Sequence, residues 1–393
     1  MACRASAIWD QGYLAYDFGE HPLNPLRLDL TIRLARELGV LERLSMVAPQ
    51  PADELQLRTI HDAEYLAAVQ AASEDPGFTG YGLGTDDDPV FAGMYDAAAL
   101  ICGGSAIAAD QVASGVVEHA VNIAGGLHHA MPGNASGFCI FNDAALGIRT
   151  LLARGMGKVA YVDIDVHHGD GVQAMFYDDP RVLTISLHQD PRTLFPGTGF
   201  PDEIGTGAAE GSSVNLALPP GTGDAGWLRA FGAVVPSALR AFGPDVLVTQ
   251  CGCDTHHEDP LANLELTVDG QRTAIAALHR LAHEVCGGRW LAYGGGGYGL
   301  VRCVPRTWTH LLAEASGVPV PPQTPVPAAW AAQLRERGVR ASLPTTMGEL
   351  PAGEQPHIDA WMPGGEAWLD RAIAATRRAC FPLLGLDPDD PRD

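Results

Sequence analysis

Apolar runs and amphipathic stretches succeed one another along most of this 393-residue chain. Residues 5–10 read as a first strand, and a helix follows whose apolar face runs through Leu28, Ile32, Leu34 and Leu38 until Gly39 ends it. Arg27 stands at the start of that helix, where a cation opposes the helix dipole, so it reads either as an exposed salt bridge or as a residue with another role. Residues 57–69, with His61, Glu64 and Tyr65, predict a second helix, and 81–89, rich in breakers and acidic residues, a loop. Residues 94–116 predict a long Ala-rich helix in which Gly103-Gly104 permits close packing.

From there strands and helices alternate. Residues 120–123 form a short strand, 142–152 a helix, 159–163 a strand, Phe176 the end of a short helix, and 182–186 a strand. After a loop at 194–199 come a helix at 225–242, a buried strand at 246–248, a helix at 268–286 and a last strand at 290–293 before four glycines. This alternation predicts an α/β fold, a central parallel sheet with helices on both faces, and ligands bound at the strands' carboxyl ends. Every unusual cluster falls at such an end: His128-His129, 163–170, Asp254 with His256-His257, and 294–298. The prediction is one large three-layer domain over 1–317, followed by a Pro-rich extension, 318–393, with an amphipathic helix at 366–381. Residues 387–393 read as disordered.

The stretch at 159–171 carries the densest chemistry. Side chains alternate along a strand, so Asp163, Asp165 and His167 point to one side while Ile164 and Val166 point to the other. Carboxylates buried side by side are costly unless a cation or proton sits between them, which predicts a bound metal, and Asp165, His167 and Asp254 supply three ligands with room for water. His128 and His129 are placed for proton transfer, with Asp163 and Asp170 as carboxylates able to orient them; the same pair also reads as surface histidines. Tyr298, after four glycines, could donate to a developing oxyanion, although such a run is also commonly a flexible turn. Phe138 and Phe195, in glycine-flanked loops on the same rim, could line a narrow apolar passage or pack into the body.

Composition narrows the class. Twenty-five basic against 47 acidic residues give a net charge of −22, which argues against nucleic-acid binding. Eight scattered cysteines read as reduced thiols. Residues 1–4 lead into a strand without an apolar signal core, and no apolar run is long enough to span a bilayer, so a cytoplasmic protein that does not enter membranes is expected.

At these residues the sequence resembles the metal-dependent histone deacetylase family of the arginase-deacetylase superfamily, and most of all its bacterial acetoin-utilisation branch. The resemblance runs from about His21 to about Gly317 and rests on Gly125-Gly126-Leu127-His128-His129-Ala130, Ser136-Gly137-Phe138-Cys139, 163–171, 195–199, Asp254 and 294–298, which fall in family order. It implies that Asp165, His167 and Asp254 bind Zn²⁺, for which Fe²⁺ could substitute, and that His128 and His129 are a catalytic pair backed by Asp163 and Asp170. Tyr298 would polarise an acetyl carbonyl. It further implies that Phe138 and Phe195, with Gly137 and Leu261, line a lysine passage, and that Asp86 on the rim accepts from a peptide backbone. A structural K⁺ would be held by Asp163, Asp165, His167, Ser186 and the Leu187 carbonyl. The expected reaction is removal of acetyl or other acyl groups from the lysine Nε of proteins by metal-activated water, with an acyl-CoA synthetase as one candidate substrate and the oligomeric state open. Leu261 stands where polyamine-specific relatives carry an acidic residue, which tilts the substrate toward protein lysine. Small acetylated amines remain an alternative, as do a binuclear ureohydrolase, which would use His256, and a non-catalytic acyl-lysine binder.

Overall fold

The computed structural model describes residues 3–393; Met1 and Ala2, part of the stretch read as lacking a signal core, lie outside them. The elements are β1 (Ala5–Ile8), α1 (Leu26–Glu37), β2 (Ser45–Val47), α2 (Glu54–Leu57), α3 (Ala63–Glu74), α4 (Met94–Ala113), β3 (His119–Asn122), α5 (Asp143–Ala153), β4 (Val159–Asp163) and α6 (Asp170–Phe176). They continue with β5 (Val182–Gln189), β6 (Ser213–Leu218), α7 (Asp224–Phe242), β7 (Val246–Gln250), α8 (Val268–Cys286), β8 (Trp290–Tyr293), α9 (Val304–Ala315), α10 (Ala328–Glu336) and α11 (Trp368–Cys380). The strands form one parallel eight-stranded sheet in the order β2-β1-β3-β8-β7-β4-β5-β6. Helices α3, α4 and α5 pack together as one layer, and α1, α9, α8 and α7 follow one another as the other; α4 and α9 both rest on β3. The predicted α/β architecture is therefore the observed one.

The interior strands are buried along their whole length, as near-continuous apolar runs require in a sheet covered on both faces. Gly103 and Gly104 pack as expected: a Cβ on Gly103 would lie 1.7 Å from the Gln50 carbonyl, and one on Gly104 1.9 Å from the Tyr13 hydroxyl. The buried cysteines are thiols. No helix among the described residues is long and apolar enough to cross a membrane.

Some expectations are corrected. The helix read at 57–69 is two helices, α2 and α3, because His61 is drawn into the core between them. Its Nδ1–H donates to the Met131 carbonyl at 3.0 Å and its Nε2 accepts from the Asn142 amide at 3.0 Å. Strand β6 escaped the sequence reading because Ser213 and Asn215 break its apolar run; buried Asn215 satisfies its amide on Gln173 at 2.7 Å and the Glu203 carbonyl at 3.0 Å. Residues 387–393 are not disordered. The guanidinium of buried Arg377 donates to the carbonyls of Asp387, Pro388, Asp390 and Asp393 at 2.7–3.2 Å and so gathers the segment around itself.

The extension packs on the body. Trp330 of α10 is fully buried and donates to the Leu30 carbonyl of α1 at 3.0 Å, while Thr376 of α11 donates to the Asn215 carbonyl on edge strand β6 at 2.6 Å. Glu349 pins the segment between these helices: His256 Nε2 lies 3.1 Å from both of its oxygens, Arg306 donates to it, and the Val268 amide lies 3.0 Å away. Burial alone would raise this carboxyl, but His256 and Arg306 outweigh burial and hold it at about 2, below its ordinary 4.5. A depressed acid stabilises above its unfolded pKa and loses that contribution as pH falls through the folded value. Glu349→Gln is therefore expected to cost about 3 kcal/mol at neutral pH. The Tm gap to wild type should narrow below pH 4.5. A gap that ignores pH would exclude the ion pair as its source.

Candidate active site

Four loops leave the carboxyl ends of β3, β8, β7 and β4, which are neighbours in the sheet, and their side chains converge. Ligand atoms of Asp165, His167 and Asp254 all lie within 4.8 Å of one another, and all three residues are buried. His167 Nδ1 is 3.2 Å from Asp165 Oδ1 and 3.2 Å from Asp254 Oδ2. Backbone amides hold the carboxylates: His167 N donates to Asp165 at 3.0 Å and Val166 N to Asp254 at 2.9 Å. Gln250, at the end of β7, donates to Asp165 Oδ2 at 2.7 Å, and the Gly296 amide adds a bond at 2.8 Å. Gly296 must be glycine, since a Cβ there would lie 2.0 Å from Asp254 Oδ2.

Burial, followed by the charge of Asp165, pushes the Asp254 carboxyl well up. Burial would also raise Asp165, but His128 and His167 hold it well below its ordinary value, so the paired carboxylates draw positive charge between them, and two carboxylates with one imidazole are a donor set that fits a divalent transition metal. The residues thus fit the metal that the sequence implies.

Beside this trio stand His128 and His129. His128 Nδ1–H donates to Asp163 Oδ2 at 2.7 Å and His129 Nδ1–H donates to Asp170 Oδ1 at 2.6 Å, which leaves both Nε2 atoms facing each other at 3.0 Å. That last contact needs one proton between two lone pairs, so the pair carries a single positive charge. Burial lowers both rings. For His128 it is outweighed by Asp163 and Asp165, which raise the ring to about 9, whereas His129 stays below its ordinary value because burial is reinforced by charged His128. Asp163 also accepts from the Tyr161 hydroxyl at 2.6 Å and the Asp165 amide at 3.1 Å, so it is held from three sides.

Tyr298 faces the same space. Burial, then the charges of Asp254 and Asp165, push its phenol well above the ordinary range, and it stays a donor. Its loop is tied down at both ends of the glycine run: its own amide donates to Asp259 Oδ2 at 2.9 Å, and buried Arg27 donates to the carbonyls of Gly295 at 2.8 Å and Gly297 at 3.1 Å. The Arg27 guanidinium also lies 5.0 Å from the Trp308 ring centroid. The cation at the start of α1 therefore serves the glycine loop and is not a surface salt bridge.

A cavity of about 200 Å³ leads to His129 and His167 from outside. Gly137, Phe138, Leu194, Phe195, Leu261 and Tyr298 line it, with Asp87 on its wall. Of the three consecutive acids in that loop, Asp86 and Asp87 are both exposed and Asp88 is buried; Asp87 lines the cavity, whereas Asp86, the one expected at the rim, does not. Phe138 meets Tyr298 edge to face at 5.7 Å and Phe195 meets His129 at 5.0 Å, so both aromatics belong to the passage. Beneath lies a void of about 20 Å³ touched by Leu23, Leu127 and Cys139, room for about one water. Ser186 pairs in register with Asp163, and fully buried Leu187 follows it. His256 turns away from the trio to Glu349, and His257 lies with it, so neither adds a ligand.

Gln250, Tyr161 and Asp259 escaped the sequence reading. Gln250 had a signal, a polar residue ending a buried strand; Asp259 and Tyr161 act through contacts that only the fold creates.

A profile of the histone deacetylase domain matches residues 21–315. The chain is 41% identical over 356 residues to the acetoin utilization protein AcuC of Bacillus subtilis (strain 168), covering 89% of this chain and 91% of that protein. It is 35% identical over 328 residues to AcuC of Staphylococcus xylosus, covering 82% of this chain and 85% of that one. For AcuC of Staphylococcus aureus (strain MSSA476) the figures are 36% over 323 residues, 81% and 83%. The match to the Bacillus protein covers more residues than the chain holds up to position 315, so it enters the extension, which the motifs alone had left outside the resemblance. The chain belongs to the histone deacetylase family, in its acetoin-utilisation branch.

Proposed function

We propose that this deacetylase hydrolyses the Nε-acyl amide of lysine in proteins. The observation that carries the reading is the buried trio of Asp165, His167 and Asp254 at the foot of a narrow, mainly apolar cavity, with an imidazole pair on one side and a phenol on the other. Zn²⁺ held by that trio would supply Lewis acidity toward the amide carbonyl and ease the loss of a proton from water, and Fe²⁺ would suit the same oxygen-rich donors.

The chain's own groups do the rest. His129, kept neutral, takes the proton from the attacking water at Nε2; His128, kept charged, supplies the proton the leaving amine needs. Asp163 and Asp170 fix the two rings through Nδ1. Tyr298 donates to the oxygen that gains charge as the amide carbon becomes tetrahedral. No covalent intermediate is required.

The lysine methylenes lie between Phe138 and Phe195, and Leu261 offers nothing to a second cationic amine, which favours lysine over a polyamine. Asp87 takes the role of backbone acceptor at the rim. A K⁺ held by Asp163, Asp165, His167, Ser186 and the Leu187 carbonyl would brace the strand ends. The relatives are named for acetoin utilization, and an acetylated lysine on an acyl-CoA synthetase is a fitting protein substrate. Acetate release from an acetyl-lysine peptide and from small N-acetylated amines, measured side by side, tests the reading: a kcat/KM higher for the peptide is expected, and turnover confined to the small amines would overturn it.

Because Arg27 holds the loop that presents Tyr298, Arg27→Ala is expected to lower kcat by up to about 10², with KM little changed. Steady-state kinetics on the peptide check this, and an unaltered kcat would remove Arg27 from the positioning of the phenol.

A further inference from the structure

The opposite rim of the sheet, at the strands' amino ends, holds a second group of metal-binding side chains. Cys3 precedes β1, His119 opens β3, and His279 and His283 stand one turn apart on α8. Cys3 Sγ lies 3.8 Å from His279 Nε2 and 3.7 Å from His283 Nε2, and those two nitrogens are 3.2 Å apart. One ligand atom from each of the four residues lies within 4.8 Å of the others. Zn–N bonds of about 2.0–2.1 Å and Zn–S bonds of about 2.3 Å in a tetrahedron place donors roughly 3.3–3.6 Å apart, close to these separations.

The ring orientations point the same way. His119 is fully buried; its Nδ1–H donates to the Ala315 carbonyl at 2.6 Å, which leaves a lone pair on Nε2. That Nε2 is buried without a hydrogen-bond partner, on a ring whose centroid is 4.8 Å from that of His279 and 5.1 Å from that of His283. His279 turns its Nδ1 to Glu314 at 3.4 Å and stacks on Trp290, so its Nε2 faces the group. Imidazoles oriented through the second nitrogen by a carbonyl or a carboxylate are the usual outer support of a metal centre.

We propose that Cys3, His119, His279 and His283 form a second metal site, a closed tetrahedral centre of the zinc type. Four protein ligands leave no open position, so the site is structural and fastens the segment ahead of β1 to β3 and α8.

Chelator-stripped full-length protein titrated with Co²⁺ tests this. Two equivalents should bind, and one should give the near-ultraviolet thiolate-to-cobalt charge-transfer absorption that the sulfur-free trio of Asp165, His167 and Asp254 has no means to produce. Zn²⁺ should abolish that absorption by displacement. Cys3→Ser should lose it and keep one equivalent with unchanged deacetylase turnover; His283→Ala, on the exposed side of α8, should bind the second equivalent at least tenfold more weakly. Absence of the absorption in wild type, or its survival in Cys3→Ser, would overturn the site.

Discussion

Replacing His129 with alanine is expected to lower kcat on an acetyl-lysine peptide by about 10² to 10⁴, the range that a positioned general base contributes. The two rings of the pair are not equivalent. Facing Nε2 atoms 3.0 Å apart share one proton, and Asp163, reinforced by Asp165, draws it to His128. His129 is left as the neutral partner beside the cavity, the only one of the two that lines its outer part. On the proposed mechanism, removing it takes away the group that receives a proton from water, whereas the trio of Asp165, His167 and Asp254 stays intact. Metal content should accordingly match wild type while turnover falls. If turnover survives, the base lies elsewhere and the division of labour within the pair must be reversed.

Tyr298→Phe should cost about 10² to 10³ in kcat with little change in KM if the phenol acts as proposed, since its hydrogen bond would then strengthen only as negative charge develops on the substrate oxygen. The surroundings keep the hydroxyl ready to donate, since burial and the neighbouring carboxylates hold the proton on the phenol while Asp259 and Arg27 hold the loop. The phenylalanine ring preserves the edge-to-face contact with Phe138, so the variant isolates the hydroxyl. A proportional rise in KM at constant kcat would instead assign Tyr298 to substrate binding. The two variants separate the proposed base from the proposed oxyanion donor, since His129→Ala removes the imidazole and leaves the phenol in place.

The order of amino acids is enough to dictate the alternation of strands and helices, because buried parallel strands are apolar throughout and their helices carry one apolar face. It also marks which segments carry chemistry: the period of two along β4 puts Asp163, Asp165 and His167 on one side, and loops at strand ends hold the remaining polar clusters. It leaves open that β3 and β4, consecutive among the carriers, are separated by β8 and β7; strand order depends on how helices fill the two faces, and no local pattern records it. That order alone brings His128, Asp165, Asp254 and Tyr298 together. Likewise Arg27 was visible only as an odd residue, and Gln250 and Asp259 not at all, since each acts on a backbone or side chain far away in sequence; that Asp87 and not Asp86 lines the cavity is also decided by the folded loop. Long-range hydrogen bonds are made by packing, and packing is a property of the folded whole.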